Sequence, residues 1–116
     1  MKTLRFLAFI VVIGLASCAP LNPHPMEMTQ AVHNAKSASD HEALARHYLD
    51  AAREMQAKAE EHKKLLEEYE SKSFHYGKQA QLLQAHCRGL IRYYDQAAKA
   101  NEAMAQAHQA IADGLK

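Results

Sequence analysis

The chain has 116 residues and a net charge of +1, so it can hold one small domain and no large enzyme fold. Hydrophobic residues make up 48% of the sequence, but aromatic residues only 7%, and alanine dominates the apolar set. With 4 glycines and 3 prolines, this composition is typical of long helices and excludes a barrel or sandwich of strands.

The first residues combine positive charge with an apolar run. Lys2 and Arg5 precede an apolar segment over residues 6–15, and small residues follow it. This three-part layout is typical of a secretory signal peptide, and the apolar segment is too short to be a spanning helix. We therefore predict a signal peptide over residues 1–17.

The end of this segment, Leu15-Ala16-Ser17-Cys18, resembles the lipobox of bacterial lipoproteins at all four positions. The resemblance implies cleavage before Cys18 and acylation of that residue, with palmitate among the chains attached. Two or three acyl chains anchor a protein firmly in a membrane. Because Ala19 stands where inner-membrane lipoproteins usually have aspartate, the resemblance favours the periplasmic face of the outer membrane.

Residues 18–38 are predicted to link this anchor to the folded body at residues 39–116. Pro20, Pro23 and Pro25 disfavour helix and favour an extended tether. A short amphipathic helix is predicted within residues 29–36.

A long helix is predicted over residues 39–70. Ser39 and Glu42 have the spacing of a capping box, and the residues that follow are strong helix formers without glycine or proline. Alternating spacings of four and three define a heptad seam. Its members are His41, Ala45, Tyr48, Ala52, Met55, Ala59, His62, Leu66 and Tyr69.

Residues 71–77 interrupt this pattern and are predicted to form a turn before a second helix over residues 78–113. An internal repeat supports the turn, because a shift of 46 positions gives eight identities between residues 44–62 and 90–108. The identities include Tyr48 with Tyr94 and His62 with His108. The second seam consists of Cys87, Ile91, Tyr94, Ala98, Asn101, Ala105, His108, Ala112 and Leu115.

The predicted fold is therefore all-α, an antiparallel alanine-rich helical hairpin of the Alacoil type. Folding about residues 76–77 places His41 near Ala112, Ala45 near His108, and Ala59 near Tyr94, so that large residues face alanines. A second apolar row beside the seam predicts self-association of two hairpins into a four-helix bundle. The row contains Leu44, Ala51, Leu65, Leu83, Leu90, Ala97, Met104 and Ile111.

A continuous rod is the alternative fold. The heptad pattern also runs without a turn from His41 to Leu115. Such a rod resembles in outline the murein lipoprotein, whose C-terminal lysine is joined to peptidoglycan, and Lys116 ends this chain. It would space the outer membrane from peptidoglycan, but the 46-residue shift is not a multiple of seven and argues against it.

Histidines and one thiol are the candidate ligands. His41 and His108 fall in adjacent layers at the open end of the hairpin, and His62 and Cys87 fall in adjacent layers near its turn. Imidazole and thiolate bind transition metals and haem iron. No pair has local ligand spacing, so polar layers that fix the register are the favoured interpretation. The remaining histidines, among them His47, are predicted to be solvated or off the seam.

Cys87 has no intrachain partner once Cys18 is acylated, so it forms either an intermolecular disulfide or, as we favour, a buried thiol.

No catalytic set of residues stands out, and no basic patch predicts nucleic-acid binding. The sequence predicts a lipid-anchored interaction or envelope-structural protein without enzymatic activity or a required cofactor. Its expected partners are the membrane, a second copy and an envelope protein. The alternative is a bundle that binds metal or haem.

Overall fold

The computed structural model describes residues 27–116, which form a helical hairpin preceded by one short helix. The elements are α1 (Met28–Asn34), α2 (Ala38–Ser71), α3 (Ser73–Tyr76), a 3₁₀ turn (Gly77–Gln79) and α4 (Ala80–Gly114). The predicted signal peptide, Cys18 and the three prolines of the tether lie outside the described residues. Within residues 27–116, no helix is both long and apolar enough to cross a bilayer.

The first short helix matches the one predicted inside the tether. The Glu27 carboxylate accepts hydrogen bonds from the backbone amides of Thr29 and Gln30, at 3.2 and 2.6 Å. These bonds satisfy amides that lack an intrahelical partner at a helix start. They also lower the pKa of the Glu27 carboxyl.

The start of α2 differs from the predicted capping box at Ser39. The Ser37 hydroxyl accepts from the backbone amide of Asp40 at 3.1 Å, and the Asp40 carboxylate accepts from the amides of Ser37 and Lys36 at 2.9 and 3.0 Å. One carboxylate thus satisfies two amides, which favours Ser37 as the cap. These bonds lower the pKa of Asp40 to about 2.

The chain reverses between residues 72 and 79, as predicted, but the turn contains more helix than expected. Lys72 ends α2, and α3 and the 3₁₀ turn follow before α4 begins at Ala80. Gly77 has a φ of 51°, a backbone conformation that side chains disfavour. The only positive φ among the described residues therefore coincides with a glycine.

Helices α2 and α4 pack against each other along their length, which confirms the all-α hairpin. The continuous-rod fold is therefore wrong. Eight alanines of the described residues are buried, and six of them recur along the helices at intervals of seven residues. The six are Ala45, Ala52 and Ala59 on α2, and Ala98, Ala105 and Ala112 on α4. Small side chains at these positions allow the two backbones to lie close together.

The predicted register is correct to within one layer. His108 was expected beside Ala45, and it packs against the seam residues on either side, His41 and Tyr48. Leu115 does not belong to the core as predicted, since 52% of its surface is exposed beyond the end of α4.

Candidate functional site

The two histidines predicted at the open end of the hairpin are in direct contact. His41 lies in the first turn of α2 and His108 near the end of α4. Their ring centroids are 5.3 Å apart, and their Nδ1 atoms approach to 3.0 Å. A hydrogen bond at this distance needs one N–H and one free lone pair, so at least one Nδ1 atom is unprotonated.

Tyr48 completes what we call the open-end cluster, which consists of His41, Tyr48 and His108. The Tyr48 ring stacks nearly parallel to His108, with an interplanar angle of 8° and a centroid distance of 5.5 Å. The His47 ring meets Tyr48 edge-on at 6.0 Å. His47 is only 7% exposed, so the prediction that it is solvated is wrong. Its position directly before a stacked tyrosine explains the difference.

Electrostatics favour the neutral form of the buried histidine. Burial lowers the pKa of His108, and the neighbouring His41 lowers it further because two imidazolium charges would repel. The charge of His41 is one of the causes that lower the pKa of the carboxyl of Asp40, the residue just before it. The pair therefore combines a buried ring with a half-buried ring next to an acidic residue.

A second ring pair lies nearer the turn. His62 on α2 stacks on Tyr94 on α4, with centroids 5.7 Å apart and an interplanar angle of 16°. The Nδ1 atom of His62 is buried and has no hydrogen-bond partner within the part of the chain that the structure describes. This nitrogen differs from that of His108, which has His41 as its partner.

The internal repeat relates these two places. A shift of 46 positions carries Tyr48 to Tyr94 and His62 to His108, so each tyrosine–histidine stack is the repeat equivalent of the other. The same shift carries His41 to Cys87. We define the turn-side cluster as His62 and Tyr94 together with Cys87. The repeat marks both tyrosine–histidine pairs in the sequence, but only the orientation of the rings shows that they stack.

Cys87 is a free thiol and is 4% exposed. Burial raises its pKa, because a thiolate is poorly solvated inside the hairpin. A protonated, inaccessible thiol is a weak nucleophile and a weak metal ligand. In the monomer, Cys87 therefore behaves as a small apolar core residue and not as a reactive cysteine.

The four predicted ligands thus do not converge on one point. His41 and His108 meet, whereas His62 stacks on Tyr94. Within residues 27–116, no group of three or more histidine, cysteine, aspartate or glutamate side chains is placed to hold a metal ion. Any ion on this hairpin would take two ligands from it and the rest from water or another molecule.

Comparison with known proteins gives no family assignment. No protein-family model matches the chain, and no similar protein is found among curated proteins or solved structures.

Proposed function

We propose that this chain is a lipid-anchored helical protein of the periplasm that acts by helix association and not by catalysis. Acylated Cys18 would hold it at the periplasmic face of the outer membrane, where the body serves as an interaction or structural component of the envelope. The match of Leu15-Ala16-Ser17-Cys18 to the lipobox supports the anchor and its location.

The proposal of helix association rests on the apolar side chains exposed on the outer face of α4. Several of its large side chains are substantially exposed, namely Leu82, Leu90, Tyr93, Met104 and Ile111. The helix has only six charged residues, against fourteen on α2, and none of them lies in the rows that contain these side chains. The six are Arg88, Arg92, Asp95, Lys99, Glu102 and Asp113. An extended uncharged face of this kind is typical of a helix-binding surface.

A second copy of the chain is the partner that we propose for this face, alongside an envelope protein. A hairpin of two helices buries little apolar surface, and eight of its ten buried hydrophobic residues are alanines. Two hairpins that pair through α4 would form a four-helix bundle and cover leucine, methionine and isoleucine side chains. Nothing in the charge distribution favours nucleic acid.

Sedimentation equilibrium of the full chain in detergent tests the association. We expect a dimer at micromolar concentration. Met104→Glu should shift it to a monomer, because a carboxylate would be buried in the interface. Gln106→Glu places the same side chain on the charged side of α4 and should remain a dimer. A folded monomeric full chain, or equal dissociation of both variants, would contradict helix association.

Labelling with palmitate tests the anchor separately. The chain expressed in bacteria should incorporate label and fractionate with outer membranes, and Cys18→Ser should do neither. Cys87→Ser serves as the matched control, since it removes the other cysteine and should leave labelling unchanged. Label retained by Cys18→Ser would exclude the lipoprotein assignment.

A further inference from the structure

The contact between His41 and His108 brings two nitrogen lone pairs together from opposite helices. Their Nδ1 atoms are 3.0 Å apart. A transition ion binds imidazole nitrogen at about 2.0–2.1 Å, which places two ligands about 2.9 Å apart at a right angle and about 3.4 Å apart in a tetrahedron. The observed distance lies between these values. The two Nδ1 atoms lie on the line between the ring centroids, so both rings would have to turn before their lone pairs point at one ion.

The surroundings of the pair also suit a cation. Only 8% of the His108 surface is exposed, so the nitrogen pair lies between the two helices and away from bulk water. The Asp40 carboxylate belongs to the residue next to His41 and accepts hydrogen bonds from the backbone amides of Lys36 and Ser37. At this end of the hairpin, Lys116 forms ion pairs with Glu42 at 2.8 Å and Asp113 at 3.3 Å. Its positive charge is therefore balanced by two carboxylates.

We propose that Nδ1 of His41 and Nδ1 of His108 together bind one divalent first-row transition cation. Copper(II) should bind more tightly than nickel(II) or zinc(II), since nitrogen ligands follow that order. The two imidazoles supply adjacent positions, and water supplies the remainder. On binding, the proton that the two Nδ1 atoms share moves to Nε2 of the same ring, so that both Nδ1 lone pairs face the ion and both imidazoles stay neutral. Because one ligand comes from α2 and the other from α4, the ion links the two helices at the open end of the hairpin.

The turn-side cluster is not a second site of this kind. Its repeat equivalent of His41 is Cys87, whose thiol is kept protonated by burial, and the Nδ1 atom of His62 finds no partner among residues 27–116. We therefore expect a stoichiometry of one ion per chain. The site is independent of the proposed helix association, because it lies on the seam inside a single hairpin.

Isothermal titration of copper(II), nickel(II) and zinc(II) salts into the full chain in detergent tests the site. We expect one ion per chain. At a free ion concentration of about 100 times Kd, the Tm should rise by roughly 10 °C, because the ion binds the folded hairpin preferentially. His41→Gln and His108→Gln should each weaken copper binding at least tenfold, as expected on loss of one of two ligands. His86→Gln removes an exposed histidine of α4 and should bind as the unaltered chain does.

A second measurement uses the unaltered chain and does not depend on the folding of any variant. Nitrogen NMR of the histidine side chains should show zinc-dependent shifts at Nδ1 of His41 and His108 and none at His62. The absence of binding, equal binding by His41→Gln, or ligation through other histidines would each overturn the proposal.

Discussion

The open-end and turn-side clusters are built on equivalent positions of the internal repeat, yet their polar atoms have different environments. At the open end, His41 meets His108 and both Nδ1 atoms are satisfied. Near the turn, Cys87 stands at the position equivalent to His41, and the Nδ1 atom of His62 is left without a partner among the described residues. The repeat thus preserves the tyrosine–histidine stack, while the hydrogen bond to the imidazole is found only at the open end among residues 27–116.

The buried alanines between the clusters keep the helices close enough for both stacks. Ala105 is 2% exposed, and Ala105→Leu should lower the free energy of unfolding by about 3 kcal/mol, because the core has no room for the added carbons. The damage should loosen the open-end cluster more than the turn-side cluster, since Ala105 lies one turn from His108. Urea denaturation followed by circular dichroism measures the loss. Ala103→Leu, at an exposed position of α4, is the control and should change stability by less than about 0.5 kcal/mol.

Alanine substitution of the two stacked histidines compares the clusters directly. His108→Ala removes a hydrogen bond and contacts with two rings, and should cost about 2 kcal/mol. His62→Ala removes one stack and also an unpaired buried nitrogen, so it should cost about 1 kcal/mol or less. The difference between their denaturation midpoints is the measurement. Equal losses would show that the bond between His41 and His108 adds no stability.

The pH dependence of stability should come from the open-end cluster. Since the pKa of His108 is lower in the folded chain than its ordinary 6.5, the unfolded chain binds its proton more readily. Stability is therefore full above pH 6.5 and falls as the pH decreases toward the lowered value. In denaturation experiments at several pH values below 6.5, His108→Gln should reduce the dependence of the free energy of unfolding on pH. The control His86→Gln should leave that dependence unchanged. An unchanged slope in His108→Gln would assign the dependence to other groups.

The smallest expected effect on stability concerns Cys87. Its burial and raised pKa predict slow alkylation by iodoacetamide in the native chain and rapid alkylation in urea. Cys87→Ala should cost little, because only one sulfur atom is removed from the core. A disulfide-linked dimer on a non-reducing gel of freshly isolated chain would contradict the buried position.

Much of the hairpin could be read from local features of the sequence. Heptad spacing predicted which helix faces meet, the interruption at residues 71–77 predicted the turn, and the 46-residue repeat favoured two helices over one rod. The helix start was predicted two residues late because Ser37 and Ser39 both precede plausible capping partners. Only the hydrogen bonds of Asp40 distinguish them.

The site was predictable in part. His41 and His108 were assigned to adjacent layers because both lie on the seams, and they are in contact. His62 and Cys87 are also predicted in adjacent layers from their seam positions, but a seam position does not give the orientation of a side-chain ring. The burial of His47 was also missed, since heptad spacing places it beside the seam and ignores its packing on Tyr48.

The sequence by itself determined that residues 39–70 and 78–113 are helical, where the chain reverses, and which alanines form the seam, because helix propensity and heptad spacing act over short distances along the chain. Only the tertiary structure decided that two imidazole nitrogens meet at 3.0 Å and that a third is left unbonded. Those outcomes depend on ring orientation and on the relative rotation of α2 and α4, which arise from packing between distant residues.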